Sequence, residues 1–128
     1  MQFDYNSDVS LYIQVAEQIE NGILSGAFPE ETQIPSTTEI SVSYKINPAT
    51  VLKGVTKLCD EGLVYKKRGI GMFVSKGAAE KLRESRQKSF YENFIVELLE
   101  EAKKLGISKD ALIRMIEKDC DRFKDSPV

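Results

Sequence analysis

Ile34-Pro35-Ser36-Thr37-Thr38-Glu39-Ile40, then Ile46-Asn47-Pro48-Ala49-Thr50-Val51, then Glu61-Gly62-Leu63-Val64-Tyr65-Lys66-Lys67-Arg68-Gly69-Ile70-Gly71-Met72-Phe73-Val74 form the stretch whose reading decides the fold. Ser36 with Glu39 three residues later makes an S-x-x-E capping box, so a short helix is predicted from about Thr37 to Ser43. Its apolar residues, Ile40 and Tyr44 with Val42 nearby, are few, and so short an element is stable only when packed on neighbours. Asn47 is the next cap, and Pro48 suits the first helical position because it has the right φ and lacks an amide that would go unpaired there. Val51, Leu52, Val55, Leu58 and Cys59 carry this second helix to a stop at Gly62, leaving Ala49, Thr50, Lys53, Thr56, Lys57 and Asp60 for other faces. Only Lys45 and Ile46 lead from the first helix to the Asn47 cap, a link short enough to fix the crossing angle. The pair therefore reads as a helix-turn-helix whose second member is the reading helix.

Leu63 to Lys67 alternates apolar and polar residues as a strand does. Arg68-Gly69-Ile70-Gly71 has glycines for a tight turn, and Met72-Phe73-Val74 returns as a second strand. Three adjacent cations running into that turn repel one another unless an anion compensates them, so the hairpin reads as a wing with an exposed basic tip.

Outward from this stretch, Ser10 stands where a helix N-cap is expected. Leu11, Tyr12, Val15, Ala16, Ile19, Ile23 and Leu24 recur at helical spacing until Gly26. Residues 1–9 are polar and are expected along the surface with one aromatic docked. Pro29 blocks further helix in the connector, where Phe28 and Ile34 are expected to plug the core. Beyond Gly77, Phe90, Tyr91, Phe94, Ile95, Leu98, Leu99, Ala102 and Leu105 form an apolar stripe on a helix from about Ala78 to Leu105. Gly106 stops it, Ser108 caps a second helix, and Ala111, Leu112, Met115, Ile116, Cys120 and Phe123 make the next stripe. Two such helices cannot bury a self-sufficient core, so the stripes call for a partner, and the economical one is the same hairpin of a second subunit.

The formal net charge of -2 conceals a strong segregation. Residues 1–44 hold seven carboxylates and no Lys or Arg, whereas residues 45–76 hold Lys45, Lys53, Lys57, Lys66, Lys67, Arg68 and Lys76 against Asp60 and Glu61, a balance of +5. Residues 77–128 balance to zero, as solvated helix faces do. The basic segment coincides with the helix-turn-helix and hairpin, which makes it an electrostatic footprint for nucleic-acid phosphate.

These residues carry a resemblance. Leu11-Tyr12-Ile13-Gln14, Ile34-Pro35-Ser36, Asn47-Pro48-Ala49-Thr50-Val51, Glu61-Gly62-Leu63 and Arg68-Gly69-Ile70-Gly71-Met72-Phe73-Val74, in that order, resemble the winged helix-turn-helix domain of the GntR family of bacterial transcription regulators over residues 10–75. The short tail makes the chain similar to the YtrA subfamily, whose small helical tail dimerises and whose genes often accompany transporters of the ATP-binding cassette type. The fold so implied is mainly α with a small β-hairpin wing: a winged helix-turn-helix domain over residues 1–76 and a two-helix dimerisation hairpin over residues 77–128. The function implied is that of a DNA-binding transcription repressor, a homodimer on an inverted repeat of double-stranded DNA.

The resemblance further implies DNA contacts from Ser36, Thr37 and Thr38, from Lys45 and Asn47 at the turn, from Ala49, Thr50, Lys53 and Lys57 on the reading helix, and from Arg68, Gly69 and Ile70 at the wing tip. This chain departs from the family pattern at three places: Thr38 stands for a usual Arg, Glu31 for a usual Gly, and Met72 for a usual Thr. The first removes a bidentate contact. The second requires either a different turn or a non-glycine residue under strain of roughly 1 kcal/mol.

Other classes fit poorly. Histidine is absent, which removes the commonest general base and transition-metal ligand. No Gly-rich phosphate loop follows a strand and the carboxylates are scattered, so neither catalytic residue, metal nor cofactor is expected. Nothing approaches the roughly eighteen consecutive apolar residues of a membrane span and no basic-then-apolar leader precedes the first helix, so the expected location is cytoplasmic. Cys59 and Cys120 are then expected as two buried thiols. The Phe90, Tyr91 and Phe94 cluster offers a small-molecule effector pocket, against which plain packing is the simpler reading. The other reading left open is a winged helix that binds protein or RNA without operator specificity.

Overall fold

The first helix, α1 (Leu11–Ser25), begins after Ser10 and ends at Gly26, whose φ of 85° is the left-handed turn that glycine adopts without strain. Ser10 caps it differently from expectation: its side chain makes no capping bond, and its carbonyl accepts from the amides of Ile13 and Gln14. The computed structural model describes residues 1–120, in two compact units that part between Ser85 and Arg86.

In the first unit, α2 (Thr37–Tyr44) and α3 (Pro48–Asp60) follow α1, and an antiparallel pair of strands, β1 (Val64–Lys67) and β2 (Gly71–Val74), comes next, with Val64 opposite Val74 and Lys67 opposite Gly71. α3 is the centre of the unit and packs on α1, α2 and β1. Val15, Ile19, Ile40, Val51, Val55, Leu58, Val64 and Val74 are fully buried there. Each such side chain contributes about 1.5–3 kcal/mol relative to exposure.

One residue of α3 sets how closely α1 approaches. A Cβ at Gly54 would lie 2.6 Å from the backbone carbonyl oxygen of Tyr12 and 3.0 Å from the Val15 side chain. Glycine inside a helix costs about 1 kcal/mol relative to alanine, and here the lost propensity is offset by the close contact.

Ile34 is buried and Phe28 packs against the core from the connector, as expected. The connector also does something its sequence did not announce. Glu31 N–H donates to the Val74 carbonyl at 2.8 Å, Val74 N–H to Thr32 at 2.9 Å, and Ile34 N–H to Met72 at 2.9 Å, so residues 31–34 flank β2 like a short third strand. The N-terminal arm docks through Phe3, whose ring meets Tyr44 edge-on at 5.1 Å. Gln14, buried, ties the arm down by accepting from Asp4 N–H at 2.8 Å and donating to the Asp4 and Val9 carbonyls, both at 2.9 Å.

The chain leaves the hairpin into α4 (Ala78–Phe90). Ala78 and Leu82 are buried in the first core, so this unit extends past Lys76, where the sequence pattern put the boundary. Both side chains belong to the same buried cluster as Leu63 and Val74.

In the second unit a π-helical turn over Tyr91–Ile95 leads into α5 (Val96–Lys104), with Val96 N–H bonded to Tyr91. The sequence pattern reads a continuous α-helix here, and this wider turn shifts the faces on either side of it. Gly106 ends α5 with a φ of 69°, and Ile107 N–H satisfies the Ala102 carbonyl at 2.9 Å. Ser108 caps α6 (Lys109–Cys120) by accepting from Ala111 N–H at 3.1 Å. Phe123, which the sequence pattern assigns to the last stripe, lies outside the described residues.

Both cysteines are free, but Cys59 is only half-buried and Cys120 is exposed, against the expectation of two buried thiols. Cys120 falls among side chains of α6 that are themselves exposed. Burial pushes the Cys59 thiol above its ordinary value, so it has little thiolate character. Among the described residues no helix is long and apolar enough to cross a membrane.

Candidate nucleic-acid interface

Both halves of the capping box form at the start of α2: Ser36 Oγ accepts from Glu39 N–H at 3.0 Å, and Glu39 Oε1 from Ser36 N–H at 3.4 Å. Their partnership places Ser36, Thr37 and the exposed Thr38 around one helix start. The far end of α2 turns at Lys45, a non-glycine residue with φ 53°. Ser41 Oγ donates to the Ile46 carbonyl at 2.6 Å, and Ile46 N–H to Ser41 at 3.1 Å, so the turn is locked on both strands of its backbone. Asn47 then caps α3, accepting from Ala49 N–H at 2.8 Å. That bond uses its Oδ1, leaving Nδ2 as the group it can offer outward.

Along α3, Val51, Gly54, Val55 and Leu58 face inward, and Ala49, Leu52, Lys53 and Thr56 are exposed on one face at helical spacing. Thr50 is half-buried beside them. The sequence pattern assigned Leu52 to the buried stripe, but it is 56% exposed. Leu52, about 100° round the helix from Val51, falls instead on the outward face with Ala49, Lys53 and Thr56. Val42 on α2, at 74%, is likewise exposed, while Ile40 is buried and Tyr44 packs against the core from the same short helix.

The cations are held in different ways. Lys53 Nζ lies over the Tyr12 ring, 4.1 Å from its centroid, and Lys57 pairs with Glu61 one turn on. Hydrogen bonding to Glu61 holds the Lys57 ammonium above the ordinary lysine value, against a smaller opposing effect of burial. Lys67 turns back over Phe73 at 4.2 Å and Tyr65 at 6.0 Å, which relieves part of the repulsion among the hairpin cations. Lys45, Lys66 and Arg68 are exposed.

The hairpin tip is braced from the connector. Gln33 Nε2 donates to the Ile70 carbonyl at 3.0 Å, and Ile70 N–H closes the turn on Lys67 at 3.0 Å. Gly69 has φ 79° with open space where a Cβ would be, so its conformation rather than crowding selects glycine. Ile70 is 64% exposed.

Glu31, noted for standing where glycine is usual, has φ 63°: the connector keeps the left-handed turn with a non-glycine residue in it. Its carboxylate accepts from the Tyr65 hydroxyl at 2.8 Å, and this bond raises the phenol above its ordinary value.

One concavity is lined by Ser36 and Thr37 at the start of α2, Leu52, Val55, Thr56 and Cys59 of α3, and Lys66, Gly71 and Met72 of the hairpin. It brings together three of the segments that the sequence singled out. Leu52, Thr56, Lys66 and Gln33 were not among the candidate residues read from sequence. Leu52 and Thr56 were legible as the third and seventh residues after Ala49 on the same face. Gln33 carried no sequence signal.

The family model described as "Bacterial regulatory proteins, gntR family" matches residues 11–74. Among curated relatives, the HTH-type transcriptional repressor YtrA of Bacillus subtilis is 28% identical over 112 residues, covering 88% of this chain and 85% of that one. The HTH-type transcriptional repressor NagR of the same organism is 32% identical over 80 residues, covering 62% of this chain, which thus spans only 33% of that relative's length. Among solved structures, a GntR-family transcriptional regulator from Bacteroides thetaiotaomicron superposes with a TM-score of 0.73 at 32% identity, covering 88% of this chain and 97% of that one. The DNA-binding domain of AraR in complex with operator ORR3 superposes with a TM-score of 0.50 at 28% identity, covering 59% of this chain and 93% of that one.

Proposed function

This chain belongs to the GntR family of bacterial regulatory proteins, a DNA-binding transcription regulator with relatives of the YtrA type, and from that premise we propose that it is a cytoplasmic repressor acting as a homodimer on an inverted-repeat operator. The observation that carries the reading is the double-capped α2–turn–α3 pair beside a basic hairpin within the +5 segment. The AraR domain, whose solved complex contains operator DNA, supports the same use of this half of the chain. Ser36, Thr37, Thr38 and Lys45 position phosphates; Asn47, Ala49, Thr50 and Lys53 address base edges; Lys57 adds positive charge; and Arg68, Gly69 and Ile70 enter the minor groove.

The tail supports the dimer. Phe90, Tyr91, Phe94, Leu98, Leu99, Leu105, Met115 and Ile116 are exposed in the single chain, and Ala102 is the one buried residue among those described in the second unit. Leu98, Leu99 and Ile116 line one apolar groove with the half-buried Ile95 and Leu112, a surface of the kind a second subunit covers. Two reading helices would then stand about 34 Å apart, one duplex turn. The YtrA resemblance makes a transporter operon the natural target.

Nuclease footprinting of the full chain on the region upstream of its own gene tests this reading. The expected pattern is two protected half-sites related by a dyad. Uniform protection without preference, or binding to RNA or protein alone, would replace the operator reading with that of a general interaction module.

A further inference from the structure

Leu52 is the one large apolar side chain of α3 that is exposed, at 56%, yet it sits mid-helix beside Lys53 and on one face with Ala49 and Thr56. It lines the concavity together with Val55, Cys59 and Met72 as well as Ser36, Thr37 and Lys66. Of the apolar side chains in that lining only Leu52 is exposed, since Val55 is buried and Cys59 and Met72 are half-buried, and so little exposed apolar surface is too small to seat a protein partner. The surrounding charge favours an anionic polymer: the segment from Lys45 to Lys76 has a balance of +5.

Leucine has no donor or acceptor, so it cannot read the hydrogen-bonding pattern of a base pair. The major groove displays one apolar group, the C5-methyl of thymine. Facing any other base edge, Leu52 would leave polar atoms desolvated without a partner. From this geometry we infer that Leu52 is a specificity-determining residue that packs on a thymine methyl in each half-site. The inference rests on the operator reading above and adds a base preference to it.

The test selects duplexes from a random-sequence pool with the full-length chain. Each thymine of the selected half-site is then replaced singly by deoxyuridine, which lacks only the methyl. One thymine per half-site should emerge at which this change weakens binding of the unaltered protein about three- to tenfold. Leu52→Ala, at an exposed position that leaves the core intact, should bind the methylated and unmethylated duplexes equally. Circular dichroism checks that the variant is folded. An enriched duplex whose binding is indifferent to every such replacement, or equally sensitive in Leu52→Ala, overturns the inference while leaving the operator reading in place. A pool that yields no enriched duplex overturns both.

Discussion

The ammonium of Lys53, on the exposed face of α3, rests 4.1 Å from the centre of the Tyr12 ring at the start of α1. The cation is thus held over an aromatic face before any ligand arrives, an interaction worth about 0.5–1 kcal/mol at an exposed site. A base or phosphate contact must exceed that value to draw Lys53 away. Lys53→Ala and Thr50→Ala are each expected to weaken specific DNA binding by about 1–3 kcal/mol while leaving the oligomeric state unchanged. Titrations against a selected and a scrambled duplex check this, and an equal loss on both would mean that these residues touch only phosphate.

Gly54 makes a prediction about stability. With the Tyr12 carbonyl oxygen 2.6 Å from where a Cβ would lie, Gly54→Ala must push α1 away from α3, because the obstacle is backbone. The helix-propensity gain of about 1 kcal/mol should be outweighed by overpacking of about 1–3 kcal/mol, giving a net loss. Urea denaturation measures it, and a stabilised variant would show that the two helices separate freely.

The hydrogen bond from Tyr65 to Glu31 predicts an alkaline effect. The bond favours the protonated phenol, so the folded-state pKa lies above the unfolded one. Its contribution to stability is full below the ordinary phenol value of about 10 and is lost as pH rises through the folded value. Carbon-13 spectra of labelled tyrosine should show Tyr65 titrating above the ordinary value and returning to it in Glu31→Ala. A Tyr65 resonance that does not move between the two proteins contradicts the bond.

For the tail, Leu98→Asp combined with Leu112→Asp places two carboxylates in the groove that both residues line. Sedimentation should find monomers or unfolded chain, and a folded dimer would remove the tail from the subunit interface.

The caps were the most legible part of the sequence. Ser36 with Glu39, Asn47 with Pro48, and Ser108 each announce a helix start through local chemistry, and each cap forms. The glycines at 26, 69 and 106 were readable for the same reason, since positive φ leaves few other choices. What stayed hidden depends on contacts distant in sequence. The pairing of residues 31–34 with β2 needs Val74 and Met72 in place, and the burial of Ala78 and Leu82 needs the finished core. The π turn at Tyr91–Ile95 has no residue signature of its own. On the reading helix the motif selected polar and small side chains and passed over Leu52, although its spacing from Ala49 places it on the same face, because an apolar residue in a helix reads first as core.

The central claim, that the α2–α3 pair and the hairpin form an interface for operator DNA, is tested most directly by the salt dependence of binding. Fluorescence anisotropy of the full chain on a labelled duplex from upstream of its own gene should give log Kobs falling linearly with log salt, with a slope of about −0.9 for each phosphate neutralised. Binding should be about a thousandfold or more tighter than to a random duplex at the same salt. Equal affinity for the two duplexes, or a slope near zero, would contradict it.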